Sequence, residues 1–272
     1  MASTADGHLS LLMDIAYTVS GFVVGFIVGL TGVGGGSLMT PILVLLFGFK
    51  PAVAVGTDLL YAAITKSGGV FVHQRRGTIE WEIVGLLALG SVPACILSVF
   101  VLKHLDAAGI NYDRIISVAL SIALILTSMV LMFKGRLQLL SQDERLSAVR
   151  SVHRRLRKPM TVMAGLVIGT LVTLSSVGAG ALGAATLFFL YPRMRAITIV
   201  GTDLAHAVPI TAIAGLGHVH LGTVDFLLLV SLLLGSLPGI YLGSHTGANL
   251  PERVVRPILA SMLLLIGVRM AI

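Results

Sequence analysis

The chain has 272 residues, 56% of them hydrophobic and only 11% charged, with a mean hydropathy of +0.99. No soluble core of this length requires such a balance, so the chain reads as an integral membrane protein with no separate soluble domain. The formal charge of +7 does not argue for a nucleic-acid partner, because the basic residues crowd into loops between apolar segments, where membrane orientation explains them.

Taken in order, the first ten residues carry no Lys or Arg, so a cleavable signal peptide is not expected and the N-terminal segment is retained. Apolar segments follow at about 12–31, 36–48, 52–72, 80–102 and 114–133. A polar connection runs over 134–158, carrying Lys134, Arg136, Arg145, Arg150, Arg154, Arg155, Arg157 and Lys158. It reads either as a short amphipathic helix on anionic lipid or as a solvated linker. The series resumes at about 159–177, 181–191, 196–216, 223–245 and 254–272. The single cysteine, Cys95, excludes an intrachain disulfide and a multi-cysteine metal cluster, and its apolar setting reads as a buried, inert thiol.

The two sets of five segments are copies. Gly56-Thr57-Asp58-Leu59 recurs as Gly201-Thr202-Asp203-Leu204, and at the same offset of 145 His73 meets His218, Gly77-Thr78 meets Gly222-Thr223, and Gly90-Ser91-Val92-Pro93 meets Gly235-Ser236-Leu237-Pro238. Glycine clusters at Gly32-Val33-Gly34-Gly35-Gly36-Ser37 and Val177-Gly178-Ala179-Gly180-Ala181 align at an offset of 144. So many matches in register indicate an internal duplication, which divides the chain into 1–133, 134–158 and 159–272.

Counting basic residues orients the copies. With the connection in the cytoplasm, alternation puts Arg75, Arg76, Arg193, Arg195, Arg253 and Arg256 on the same side, fourteen of the nineteen Lys and Arg, against Lys50, Lys103, Arg114 and Arg269 opposite. The positive-inside rule then places both termini outside. The turn His73 to Gly77 is basic while its copy, Gly217 to Gly222, has no Lys or Arg, so the copies point in opposite directions. The expected fold is all-α, with two inverted repeats of about five helical segments each, an arrangement of secondary transporters whose sites lie where the repeats meet near mid-membrane.

Three consecutive helix weakeners, Gly34, Gly35 and Gly36, exceed what helix packing asks for, whereas Gly25 and Gly29, spaced by four, fit the small-xxx-small packing pattern. Both glycine clusters are therefore expected to break their helices. A helix restarting after such a break offers unpaired N–H groups and a positive dipole end to an anion. With limbs of about 13 and 11 residues (36–48 and 181–191), both restarts are placed near the midplane, their N-termini converging from opposite sides. The expected binding residues are Gly34, Gly35, Gly36, Ser37, Thr57, Gly178, Ala179, Gly180 and Thr202. Thr31, Ser37, Ser175 and Ser176 either add hydroxyl donors or satisfy carbonyls freed by the break.

Asp58 and Asp203 lie inside apolar segments at equivalent positions, an expensive placement that points to function. Each either couples protons to transport or caps a broken helix and holds the fold. Lys66, whose copy position is Thr211, either snorkels to the inner surface or contacts the anion; eight residues beyond Asp58, it is poorly placed for a direct pair with it. His206, in the copy position of Tyr61, is either a proton relay or a hydrogen-bonded core histidine. His73, His218 and His220 stand at segment ends without a third ligand nearby, so no metal or cofactor is expected. Pro41, Pro93, Pro209 and Pro238 fall inside apolar segments and read as kinks, Pro93 and Pro238 as shared architecture.

On these residues the chain resembles the TauE/SafE family of membrane permeases. The resemblance rests on the glycine turn followed by a proline (Gly32 to Pro41), the Ala54-Val55-Gly56-Thr57 run, and the repetition of both elements, and it covers about Gly21 to Ile272. It implies export of a small sulfur-containing anion such as sulfite, sulfoacetate or a related organosulfonate. The second copy departs from the pattern, with Ala179 for the middle glycine and Ala185 for Pro41, so the half-sites need not bind equally.

Three readings follow. The first is a secondary transporter of the inner membrane that moves a small oxyanion by motion of the repeats, with protons as a candidate coupling ion; outward movement of a monoanion is already favoured by ~2.3 kcal/mol per 100 mV. The second takes Asp58 and Asp203 as a cation or metal-ion site. The third, an intramembrane hydrolase built from Ser175 or Ser176, His206 and Asp203, lacks a recognisable nucleophile motif, and no enzyme activity is expected.

Overall fold

The computed structural model describes residues 2–31, 36–140, 147–246 and 252–271, with side chains described over 13–30, 38–133, 156–245 and 257–271. The described residues form ten helices: α1 (Ala2–Thr31), α2 (Gly36–Leu45), α3 (Pro51–Arg75), α4 (Trp81–Ala107), α5 (Asp113–Leu140), α6 (Ser147–Ser175), α7 (Ala181–Leu190), α8 (Ala196–His220), α9 (Phe226–Thr246) and α10 (Glu252–Ala271). Ten apolar segments thus become ten helices in the expected order. The ends move: α1 starts ten residues before the apolar run, and α5 and α6 extend into the connection as far as Leu140 and back to Ser147. Residues 141–146 of that connection lie outside the described residues.

Six of the helices are long and apolar enough to cross a membrane: 13–30, 81–107, 113–133, 156–175, 196–220 and 226–245. α3 is as long as α8, but Asp58, Lys66, Gln74 and Arg75 dilute its apolar character. It is shielded instead. Its first half is buried almost continuously, from Ala52 to Ala63, while Leu89, Leu97 and Phe100 of α4 and Leu227, Leu234 and Leu237 of α9 stay more than half exposed and form the apolar outer surface that lipid covers. α2 and α7, ten residues each, are about 15 Å long, half of a ~30 Å hydrocarbon core.

The helix partners repeat through the molecule. α3 packs on α8 and α5 on α10; α1 packs on α9 as α6 packs on α4. Glycine decides the closest of these contacts. A Cβ at Gly21, Gly25 or Gly29 of α1 would strike the backbone of Leu232, Ser236 or Ile240 on α9, and one at Gly165 or Gly169 of α6 would strike Leu87 or Ser91 on α4. Both series climb in the same direction, so these pairs are parallel. α3 and α8 run antiparallel: Gly56 abuts Thr223 and His218, Gly215 abuts Leu60, and Gly201 abuts Thr78 and His73. α5 and α10 are also antiparallel, with Ser128 donating to the Ala260 carbonyl at 2.8 Å and Gly267 lying against Ser121 and Leu124.

Side-chain hydrogen bonds repeat in the same manner. Thr202 Oγ1 accepts the Glu80 N–H at 3.0 Å, and Thr57 Oγ1 accepts the Asp225 N–H at 3.0 Å. His73 Nδ1 meets Thr78 Oγ1 and His218 Nδ1 meets Thr223 Oγ1, both at 2.8 Å. Two contacts in which i meets j and the copy of i meets the copy of j are the mark of a two-fold relation.

Candidate functional site

The break between α6 and α7 is built from local sequence. Ser175 donates to the Leu171 and Val177 carbonyls and accepts the Val177 N–H, so its hydroxyl satisfies backbone freed at the helix end. Ser176 then takes φ 57°, and Gly178 and Gly180 take φ 117° and 139°. Glycine is required at these two positions, since other residues are strained there. α7 restarts with Gly183 N–H on the Gly178 carbonyl at 3.1 Å and Ala184 N–H on the Gly180 carbonyl at 3.0 Å. The first-copy turn at Gly34 and Gly35 lies outside the described residues. Thr31 ends α1, and Gly36 and Ser37 open α2; their side-chain surroundings also lie outside the description.

The two aspartates meet the short helices. Asp58, fully buried on α3, accepts a hydrogen bond from Thr40 of α2 at 2.5 Å through Oδ2. Asp203 on α8, 3% exposed, lies so close to the first turn of α7 that a Cβ at Gly183 would fall on its Oδ1. Each carboxylate thus anchors the limb that follows its own half's glycine cluster. The Ser176 hydroxyl lies beside Asp58 without closing a hydrogen bond onto it, and Asp58 Oδ1 and Ser176 Oγ find no hydrogen-bond partner among the described residues.

Lys66 joins the parts. It does not snorkel: it is 5% exposed, and its ammonium donates to the Ala179 carbonyl at 2.6 Å, crossing from α3 to the glycine turn of the other half. At 1.5 Å per residue Lys66 lies about 22 Å and Asp58 about 10 Å from the start of α3, on either side of its centre. The ammonium sits in the field of Asp203 and of Asp58. Its copy position, Thr211, bonds the Ala207 carbonyl of its own helix at 2.8 Å, so one cation serves a site that has two copy-related carboxylates.

Other expected residues stand elsewhere. The Thr57 and Thr202 hydroxyls, expected at the anion, are engaged instead by the N–H groups that open α9 and α4. They tie the halves together. His206 is a buried core histidine whose Nε2 meets Ser91 Oγ at 2.8 Å, while Ser175 bonds the backbone of its own turn. Its copy, Tyr61, stands correspondingly near Ser236. Cys95 is fully buried, with Sγ directed at the Ile210 carbonyl. Sequence reasoning missed Thr40, the partner of Asp58, although a hydroxyl in so apolar a helix is itself a signal. It also missed a cavity of about 430 Å³ at the end of the bundle where α3 begins, lined by Lys50, Asp106, Asn111, Tyr112, Asp113 and Thr223.

A buried, charged centre at a broken helix in an otherwise apolar bundle accords with what the chain is similar to. The family model for the sulfite exporter TauE/SafE matches residues 17–270. The chain belongs to the TauE/SafE family. Among TauE/SafE relatives, the probable membrane transporter protein YjnA of Bacillus subtilis is 38% identical over 95% of this chain and 100% of its own length. YdhB of the same organism, also a probable membrane transporter protein, is 28% identical over 90% of this chain and 97% of its own. The archaeal MJ0441 of Methanocaldococcus jannaschii, described likewise, is 26% identical over 96% of both chains. No solved structure matches the chain. The protein is a TauE/SafE membrane transporter.

Proposed function

We propose that this transporter exports a small sulfur-containing oxyanion, sulfite, sulfoacetate or a related organosulfonate, across the cell (inner) membrane by alternating access, the anion binding where the two glycine turns meet. The observation that carries this reading is the buried Lys66 ammonium on the carbonyl of Ala179, a positive charge held at a helix restart. Gly34 to Ser37 from one half and Gly178 to Gly180 from the other supply the remaining donors through their backbone. The family description as a sulfite exporter supports the choice of anion.

The halves 1–133 and 159–272 are read as inverted repeats joined by the 134–158 connection. The antiparallel run of α3 against α8 and of α5 against α10 supports that reading, because an axis in the membrane plane reverses every copy. The basic connection then faces the cytoplasm and both termini face outward. Asp58 and Asp203 are assigned both anchoring and proton coupling. The cation-carrier reading is weakened by Lys66, whose ammonium already lies in the field of both carboxylates a metal would need.

The test is direct. Purified protein is expected to be stabilised thermally by sulfite and alkylsulfonates but not by mono- or divalent metal ions, and proteoliposomes with an imposed potential are expected to move sulfite or sulfoacetate. Stabilisation by cations alone would overturn the proposal.

A further inference from the structure

We propose that Lys66 is a substrate-binding residue and that, as the one fixed cation among the site's described residues, it restricts the transporter to monoanions. This inference rests on the oxyanion reading above and adds the charge class of its substrate. Three observations carry it.

First, the ammonium is held inside the bundle, on the Ala179 carbonyl at 2.6 Å, rather than at either surface. An ammonium offers three donors, and the carbonyl takes one. Second, the hydroxyl nearest the turn, Ser176 Oγ, is fully buried and has no hydrogen-bond partner among the described residues, as does Asp58 Oδ1 beside it. Buried polar atoms are almost always paired; the Ser176 hydroxyl lies against the Asp58 carboxyl short of good hydrogen-bond geometry, so a guest entering between them would satisfy both, close to where α7 restarts. Third, the duplication breaks at this point: Thr211, in the position of Lys66, turns back onto Ala207, while both carboxylates are retained.

The charges facing this centre are Lys66 and Asp58 from α3 and Asp203 from α8, with the neutral Ser176 and Ala179 from the α6–α7 turn. A buried charge is costly unless paired. In the proposed loaded state both carboxyls are protonated and one ammonium balances one negative charge, whereas a dianion in that state would leave a net charge of −1 in the bundle. Methanesulfonate, bisulfite and sulfoacetate with its carboxyl protonated fit. Sulfate does not. The unpartnered Asp58 oxygen also suits an acid-bearing guest, or a proton taken up together with the anion.

The experiment compares methanesulfonate, a monoanion across the accessible pH range, with sulfate on the full-length purified protein, by titration calorimetry and by thermal shift. Wild type is expected to bind methanesulfonate at least tenfold more tightly than sulfate at pH 7. Lys66→Arg is expected to keep that ratio, and Lys66→Met to weaken methanesulfonate binding at least tenfold while its size-exclusion profile and helical dichroism are unchanged. If Lys66→Met or Lys66→Thr binds methanesulfonate within threefold of wild type, or if wild type takes sulfate equally well, the inference is overturned while the anion transporter stands. If wild type binds no oxyanion, the functional reading itself falls. Where Lys66→Met does not fold, the wild-type selectivity and the arginine variant decide.

Discussion

The two threonines that bind the halves together give the sharpest quantitative expectation. In Thr57→Val the Asp225 N–H loses an acceptor at 3.0 Å, and in Thr202→Val the Glu80 N–H loses its acceptor at 3.0 Å. Both threonines are fully buried. Because the donors belong to Glu80, which is exposed, and Asp225, which is half-buried, each lost bond costs about 0.5–1.5 kcal/mol, or roughly a 2- to 13-fold shift in the unfolding equilibrium. Because the two bonds are copies, the two losses should match, and because they open different helices, the double variant should lose their sum within about 0.5 kcal/mol. Denaturation of the purified protein by SDS reports this through Trp81, the one tryptophan in the chain, which directly follows Glu80 at the start of α4. Thr202→Val should also shift native Trp81 emission, and Thr57→Val should not. A full loss from one variant with none from the other would refute the two-fold reasoning.

Other perturbations test other parts. Gly178→Ala and Gly180→Ala place a side chain at φ 117° and 139°, which costs about 1–3 kcal/mol each and should lower both thermal stability and transport. Gly25→Leu and Gly169→Leu drive side chains into the backbone of Ser236 and Ser91; both should abolish folded expression, whereas Gly85→Leu, with open space around it, should express normally. If protons accompany the anion as proposed, methanesulfonate binding should weaken as pH rises, by up to tenfold per unit for each proton taken up, since the loaded site would then hold more protons than the unloaded one. A flat titration between pH 5 and 8 would show that no proton accompanies binding. Asp58→Asn should reduce that slope, and Thr40→Val, which removes the hydroxyl on Asp58 Oδ2, should alter it without removing the charge.

Helix number and order could be read from the sequence because lipid imposes them: each backbone polar group must be paired within its own segment, so apolar length translates into a helix. Glycine breaks were also readable, and Gly178 and Gly180 adopt the backbone that explains their presence. What could not be read was which partner each polar side chain reaches. Thr57 and Thr202 were visible as a repeated motif, but the groups their hydroxyls hold are 168 and 122 residues away, in the other half. Lys66 was visible as a lone cation, yet whether it turned outward or inward depended on a carbonyl 113 residues away. Ser175, ambiguous by type, is decided by its backbone partners.

The glycine seams have a mechanical consequence. The opening helix of each copy is clasped by the opposite copy, α1 by α9 and α6 by α4, with carbonyls where a Cβ would otherwise sit. Along those seams nothing can slide. In the alternating-access cycle proposed above, α1 would then move with α9 and α6 with α4, so that each moving piece would join helices from both halves. The boundary between the proposed repeats and the boundary of that proposed movement would then be different lines through the same molecule.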